Sequence, residues 1–114
     1  MGGTRTEEIG EFLAAVEQLF SPEKILLFGS RARGDQLRGS DYDIIVVSDR
    51  FEGCHFLDRL AALYELWDYD YDLDILAYTP EEFELKKDEL GIVGEAARQG
   101  IEVRSHITAS RLHP

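Results

Sequence analysis

The sequence predicts an α/β (α+β) fold in which helices flank a small mixed β-sheet. Short apolar runs, which are typical of strands, alternate along the chain with longer stretches whose apolar residues recur at helical spacing. The order that these patterns give is helix, strand, helix, strand, helix, strand, helix, helix and a short final strand. Because 114 residues suit one core, we expect a single domain over residues 1–104, followed by a flexible tail over 105–114.

The first helix and the first strand are separated by a stop signal. A helix is predicted over residues 7–20, with Thr6 as its N-cap. Its apolar residues form a one-sided stripe: Ile9, Phe12, Leu13, Val16, Leu19 and Phe20. Pro22 ends this helix. The apolar run Lys24–Phe28, which lies between Pro22 and Gly29, predicts a strand buried on both faces.

The middle of the chain continues the alternation. Residues 30–37 predict a short helix, and residues 41–48 predict a second strand in which residues 44–47 are all apolar. A loop over 49–54 leads to a helix over 55–67. The apolar side of that helix is predicted to comprise Phe56, Leu57, Leu60, Leu63, Tyr64 and Trp67.

The next segment alternates acids with apolar residues over 68–78, which predicts a strand with one wet and one buried face. A strong helix-start signal follows. Thr79 is suited to the N-cap, Pro80 to the first helical position and Glu82 to the third. We expect this helix to end near residue 90.

The end of the chain predicts one more helix and one more strand. Gly91 interrupts the helical pattern, which resumes over 92–99 and is closed by Gly100. Residues 101–104 predict a short extended segment.

The charge balance restricts the function classes. The chain has 12 basic and 23 acidic residues and a net charge of −11, which argues against binding nucleic acid through its phosphates. No apolar stretch approaches the roughly 20 residues that span a bilayer, so no membrane association is expected. The N-terminus lacks the apolar region of a secretory signal, and the single cysteine, Cys54, suits a reducing compartment. We therefore expect a cytoplasmic protein.

The junction between the first strand and the following helix carries the first functional pattern. Gly29 and Ser30 stand where free backbone N–H groups and the helix dipole favour phosphate oxygens, and Ser30 adds a hydroxyl donor. Arg31 and Arg33 follow, where they either contact the phosphates or remain solvated. An ordinary helix cap is the structural alternative for this turn, and the acids that come next favour nucleotide binding.

Two acids open the second predicted strand. Asp41 and Asp43 are two residues apart, so their side chains leave the same face. Such a pair needs a counter-ion, and hard oxygen ligands suit Mg²⁺ or Mn²⁺, whereas an isolated pair of this kind is more often a solvated strand end. A third acid from a neighbouring strand would complete a site for two metal ions. Asp74 is the predicted third acid, and Asp72, which faces the same way, is the alternative.

These residues resemble a known family. Gly29-Ser30, then Gly34, then Ser40-Asp41-x-Asp43 is similar to the signature of the DNA polymerase β-like nucleotidyltransferase superfamily. The size of the chain resembles that of the minimal nucleotidyltransferase (MNT) branch. The resemblance is strong over residues 25–47 and weaker through the Asp74 region and the helix start after it.

The resemblance implies a fold, a reaction and roles for individual residues. It implies a nucleotidyltransferase fold that transfers a nucleoside monophosphate from a nucleoside triphosphate to a hydroxyl. Asp41, Asp43 and Asp74 would be catalytic residues and Mg²⁺ ligands, with Asp74 as the base for the acceptor hydroxyl. Gly29 and Ser30 would contact the phosphates.

The resemblance also implies where the acceptor comes from. Larger members carry additional helical domains for their acceptors, so here the acceptor site must be shallow or supplied by another chain. Minimal members often pair with a small helical HEPN-type toxin, which they neutralise by binding or by adenylylation. We therefore expect AMP transfer from ATP, with two Mg²⁺ ions, to a protein hydroxyl.

A non-catalytic alternative is a binding module that neutralises a partner by contact alone. The net charge of −11 suits a basic partner protein. A homo-oligomer is compatible with either function.

Overall fold

The computed structural model describes residues 9–28, 42–70, 72–89 and 91–104. Within these residues, the α-helices are α1 (Gly10–Phe20), α2 (Phe56–Glu65), α3 (Pro80–Lys86) and α4 (Ile92–Gln99), and Asp49–Phe51 forms a 3₁₀ helix. The strands are β1 (Lys24–Phe28), β2 (Tyr42–Val47), β3 (Leu73–Tyr78) and β4 (Ile101–Glu102). Helices and a small mixed sheet thus confirm the predicted fold class.

The described strands form one sheet in the order β3-β2-β1-β4. Strand β1 pairs antiparallel with both β2 and β4, whereas β2 pairs parallel with β3. The parallel pair is joined through α2, because parallel neighbours need a long crossover connection. This connection places β3 at one end of the described sheet.

Both faces of the sheet are covered, and alternate residues of each strand face different helices. Helices α1 and α2 contribute to the first core, whose buried residues are Ile9, Phe12, Leu13, Val16, Ile25, Leu27, Tyr42, Ile44, Val46, Phe51, Leu63, Leu73, Ile75, Ala77 and Val103. Helices α3 and α4 contribute to the second core, whose buried residues are Leu26, Ile45, Val47, Tyr78, Phe83 and Ala96. Burial on both faces explains why β1 and most of β2 are continuously apolar.

The strand predicted over 68–78 begins only at Leu73. The Tyr69 ring packs against Trp67 with 4.7 Å between ring centroids, and its hydroxyl accepts a 3.2 Å hydrogen bond from the Phe12 N–H. Phe12 lies in the first turn of α1, where amides have no partner within the helix. Because Tyr69 is held against α1, the described residues between Asp68 and Asp72 do not extend β3.

Helix α2 is shorter than the predicted 55–67, and part of its predicted apolar side is wrong. Leu57 is 72% exposed and Tyr64 is 42% exposed, although the spacing of apolar residues placed both toward the core. Arg59, by contrast, is only 6% exposed. Helix α2 therefore buries the guanidinium of Arg59 and leaves the side chain of Leu57 in solvent.

The buried Arg59 joins three parts of the fold. Its Nε donates to the Cys54 carbonyl at 3.0 Å, and its Nη1 donates to the Ala77 carbonyl at 3.1 Å. The same Nη1 lies 2.7 Å from Oε1 of Glu82. Glu82 also belongs to the predicted capping box, since its side chain accepts from the Thr79 N–H while the Thr79 hydroxyl accepts from the Glu82 N–H. One arginine thus ties α2, β3 and the start of α3 together.

This ion pair makes part of the stability depend on pH. The hydrogen bond from Arg59 holds the pKa of Glu82 below its usual range, against the opposing effect of burial. A lowered folded-state pKa stabilises the fold above the unfolded pKa of about 4.3, and this contribution is lost as the pH falls through the folded value. We expect Glu82→Gln to cost about 0.5–1 kcal/mol at pH 7, since the carboxylate is partly solvated.

The thermal unfolding midpoints of wild type and Glu82→Gln, measured from pH 7 to pH 3, check this expectation. Glutamine keeps an acceptor for the Thr79 N–H, so the capping box is retained. The difference between the two midpoints should shrink as the solution becomes acidic. A difference that is constant over this range would contradict the assignment.

The outer edge of β3 is occupied by side chains of α2. The carbonyls of Asp72 and Tyr78 accept hydrogen bonds from β2 and the residue that follows it. The carbonyls of Leu73 and Ala77 point the other way, because backbone groups alternate along a strand. Tyr64 donates to Leu73 at 2.9 Å and Arg59 donates to Ala77 at 3.1 Å. Helix α2 thus supplies hydrogen-bond donors to two carbonyls of β3 that could otherwise pair with the backbone of another strand.

The two ends of α4 lie at the glycines that the sequence singles out, Gly91 and Gly100. Helix α3 ends at Lys86, earlier than the predicted residue 90, and Gly91, with φ of 127°, precedes α4. Gly100 ends α4 in extended conformation, and a Cβ there would collide with the Ala96 carbonyl oxygen. Close backbone approach, rather than a left-handed turn, therefore explains this glycine.

Some predictions fall outside the described residues. These are the N-cap at Thr6, the helix over 30–37 and the tail over 105–114. Across the described part of the chain, every helix is too short or too polar to cross a bilayer.

Candidate active site

A row of three residues crosses the sheet where β1 ends and where β2 and β3 begin. Phe28 of β1 pairs with Asp43 of β2, and Asp43 pairs with Asp74 of β3. Residues in register on neighbouring strands point to the same face of a sheet. Asp43 and Asp74 therefore lie side by side, on adjacent strands roughly 5 Å apart.

The two acids lie on the face of the second core, at the end that α3 and α4 leave open. Along β3 on this face, Tyr78 is buried, Leu76 is half-buried and Asp74 is exposed. Along β2, Ile45 is buried and Asp43 is half-buried. Side-chain exposure therefore increases along both strands toward the two acids. Helices α3 and α4 cover the other half of this face.

The register that joins the two acids is fixed by their neighbours. Tyr42 and Leu73, which begin β2 and β3, are both buried in the first core. The Tyr42 N–H donates to the Asp72 carbonyl at 2.9 Å. A slip by one residue would turn an aspartate toward this core, which would cost several kcal/mol. Burial of these two residues thus sets which face Asp43 and Asp74 occupy.

An aromatic cluster supports the start of β2 from behind. The Tyr42 ring lies 5.5 Å from the Trp67 ring, measured between centroids, and Trp67 lies 5.0 Å from Phe12. Both pairs are edge-to-face, which is a favoured geometry for aromatic rings. The backbone that carries Asp43 is therefore held by packing on the opposite face of the sheet.

The structure brings some of the predicted site residues together and does not describe others. Asp43 and Asp74 are adjacent, as the prediction of a third acid on a neighbouring strand requires. Asp72, the alternative, is exposed and immediately precedes β3. The remaining predicted site residues lie outside the described ranges, namely Gly29, Ser30, Arg31, Arg33 and Asp41.

The chain order nevertheless relates the remaining residues to the row. Gly29 directly follows Phe28, the last residue of β1, and Asp41 directly precedes β2. Sequence reasoning did not find that Phe28 borders Asp43. That register depends on how the chain passes between β1 and β2, and no local pattern encodes it.

The donor set suits a hard divalent cation. Among the described residues, no group of three or more His, Cys, Asp or Glu side chains could hold a metal ion. Asp43 and Asp74 supply two carboxylates in register, one of them exposed to solvent. Oxygen ligands with open coordination positions for water and phosphate are what Mg²⁺ prefers. The chemistry of this pair therefore fits Mg²⁺.

Comparison with known proteins identifies the family of the chain. Residues 9–70 match the nucleotidyltransferase domain family, and the chain belongs to that family. The match runs from α1 through β2 and α2, so it includes Asp43, and it ends before β3. It is in keeping with the DNA polymerase β-like superfamily that the motif resembles. No curated protein matches the chain in sequence.

Solved structures show the same fold. A candidate nucleotidyltransferase from Sulfolobus solfataricus is similar with a TM-score of 0.59 and 23% identity, over 82% of this chain and 74% of that one. BolA1 from Arabidopsis thaliana is similar with a TM-score of 0.51 and 20% identity, over 62% of this chain and 89% of that one. At these identities the likeness concerns the arrangement of helices and strands alone.

Proposed function

We propose that this protein is a Mg²⁺-dependent nucleotidyltransferase that moves AMP from ATP to a hydroxyl group of a partner protein. The observation that supports it most directly is the pairing of Asp43 with Asp74, on neighbouring strands of a chain that belongs to the nucleotidyltransferase domain family. Asp41 would complete the acid triad. The domain would span residues 1–104.

The nucleotide would lie along the same end of the sheet. Gly29 and Ser30 follow β1 in the chain, and β1 neighbours the strand that carries Asp43. Backbone N–H groups and the Ser30 hydroxyl would bind the phosphates there, and Arg31 and Arg33 would offset their charge. Two acidic side chains beside a triphosphate repel it unless cations lie between them.

The order of the strands supports separate sides of the sheet for the two reactants. The phosphates would belong to the β1 side, while Asp74 is exposed on β3, at the end of the described sheet. The acceptor hydroxyl would therefore approach over β3. There its oxygen attacks the α-phosphorus, the bond from that phosphorus to the bridging oxygen breaks, and pyrophosphate leaves.

The carboxylates would act on the acceptor proton and on the geometry of attack. Asp74 would accept the proton of the attacking hydroxyl, and Asp43, in the centre of the row, would hold a divalent cation beside the α-phosphate. Divalent cations, when bound, would stabilise the charge that develops on the phosphates and the leaving group.

The partner that fits the resemblance is a small helical HEPN-type toxin, with this chain as its antitoxin. The resemblance to the minimal branch favours a second protein as the source of the acceptor, and the net charge of −11 suits a basic one. A protein encoded beside this chain is the first acceptor to test.

Incubation with ATP labelled at the α-phosphate, Mg²⁺ and the neighbouring gene product tests the proposal. We expect label on the partner with wild type, and a loss of at least about 100-fold in Asp41→Asn/Asp43→Asn, because the cations lose their ligands. The matched control is Asp68→Asn/Asp70→Asn. It changes a second Asp-Tyr-Asp segment by the same charge, at two exposed positions.

A second measurement separates the enzyme from the binding module. Calorimetric titration with ATP and Mg²⁺ needs no acceptor, and we expect binding by wild type and by the control but not by Asp41→Asn/Asp43→Asn. Equal ATP binding by all three would contradict the proposal. Neutralisation of the partner by Asp41→Asn/Asp43→Asn, without transfer, would favour a protein that acts by contact alone.

A further inference from the structure

Helix α2 carries an apolar stripe that the described fold does not cover. Leu57, Ala61 and Tyr64 are exposed and follow one another at intervals of four and three residues, which places them on one side of the helix. Leu57 is 72% exposed and Tyr64 is 42% exposed. A single exposed leucine is ordinary, whereas an aligned apolar stripe is typical of a surface that contacts another protein.

The fold uses the hydroxyl of Tyr64, which bonds to β3, but it does not require the exposed stripe to be apolar. Helix α2 packs on the sheet mainly through its opposite side, where Arg59 and Leu63 are buried. Leu85 of α3 is also exposed, but it does not belong to an apolar stripe, because Glu81 and Glu82 occupy the positions one turn before it. Leu85 is therefore isolated, and the residues of α2 are not.

Acidic residues border the stripe along one side. Asp58 and Glu65 are exposed, lie seven residues apart on α2, and form no ion pair with a described basic residue. With a net charge of −11, two copies of this chain repel each other, which disfavours a homodimer through this surface. The complementary occupant has an apolar stripe of its own and basic residues beside it.

We infer that Leu57, Ala61 and Tyr64, with Asp58 and Glu65, form a docking surface for a basic amphipathic helix of a partner protein. Helix-to-helix packing matches apolar residues at this spacing, and the charged border sets the orientation of the partner. The surface stands independently of the proposed transfer reaction, since it uses none of the acids in the row.

The position of the surface relates it to the candidate active site. The Tyr64 hydroxyl donates to the carbonyl of Leu73, the residue next to Asp74. A partner helix on α2 would therefore lie beside the strand that carries the exposed Asp74. If transfer takes place, docking on α2 would bring the partner to the acceptor side of the sheet.

A designed helical peptide of about 18 residues, with leucines at i, i+3, i+4 and i+7 and lysines along one border, tests this surface. Binding to the full chain is measured by fluorescence anisotropy. We expect Leu57→Asp to weaken binding at least about tenfold and Leu85→Asp to change it less than about twofold. Both substitutions replace a leucine that is more than 70% exposed and add one negative charge, so attraction between opposite charges alone would strengthen binding in both.

Two further arms make the outcome decisive. A peptide with glutamates in place of the lysines should not bind, and Asp43→Asn should retain binding whatever the transfer assay gives. Equal binding by Leu57→Asp and Leu85→Asp would overturn the inference. A wild-type homodimer in sedimentation that Leu57→Asp dissociates would overturn it as well, since a second copy would then be the occupant.

Discussion

Replacing Asp74 with asparagine is expected to lower nucleotidyl transfer by about 100-fold or more. Asparagine keeps the size of the side chain but removes the charge that binds a cation and the oxygen that accepts a proton. Asp74 is exposed on β3, so the folded state should tolerate the change. The transfer rate with labelled ATP is the measurement, and an unchanged thermal unfolding midpoint establishes that the variant is folded.

The matched control for this prediction is Asp72→Asn. Asp72 is equally an exposed aspartate and lies two residues away, but it precedes β3, whereas Asp74 is in register with Asp43. We expect Asp72→Asn to retain transfer within about twofold. Loss of activity in Asp72→Asn with a functional Asp74→Asn would identify Asp72 as the third acid, and full activity in both would remove β3 from the reaction.

Replacing Arg59 with methionine is expected to destabilise the fold by about 2–4 kcal/mol. Methionine fills a similar volume but leaves the carbonyls of Cys54 and Ala77 without their donor. A buried carbonyl without a partner costs about 1–3 kcal/mol, and the Ala77 carbonyl is buried while that of Cys54 is partly buried. The loss of Glu82 as a partner adds less, because 42% of its side chain is exposed.

Urea unfolding of Arg59→Met and of Arg50→Met measures this difference. Arg50 is an exposed arginine whose hydrogen bonds to Leu19 and Ser21 are 3.4 and 3.5 Å long, so its replacement should cost less than about 0.5 kcal/mol. Equal stability of the two variants would show that the buried guanidinium contributes no more than a surface one.

Local signals in the sequence predicted the elements whose boundaries depend on local chemistry. The bounds of β1 and α4 agree with the prediction, because Pro22, Gly29, Gly91 and Gly100 mark their ends. The helix start at Thr79 agrees because a capping box is complete within four residues. These features need no information from the rest of the chain.

The features that sequence reasoning missed depend on partners distant in the chain. Arg59 is buried because Glu82 and Ala77 approach it, 23 and 18 residues away. Tyr69 leaves the predicted strand because its hydroxyl accepts from Phe12, 57 residues away. Helical periodicity alone therefore assigned Leu57 to the core and gave no indication that Arg59 is buried.

The candidate site was predictable in its composition but not in its geometry. The spacing of Asp41 and Asp43 and the turn at Gly29 predicted the chemistry, with Asp74 as the third acid. The alignment of Asp43 with Asp74 depends on β3 lying parallel to β2 in one particular register. That register results from burial of side chains on the other face, which a sequence pattern does not specify.

The side chains of α2 that bond to Leu73 and Ala77 also limit how this protein can assemble. A strand at the edge of a sheet has unpaired backbone groups that can pair with a strand of another molecule. Repeated pairing of this kind leads to aggregation. Here a tyrosine and an arginine already occupy two of the acceptors that an incoming backbone would need. Ordered aggregation through this edge is therefore disfavoured, and a partner that approaches β3 must recognise it by its side chains.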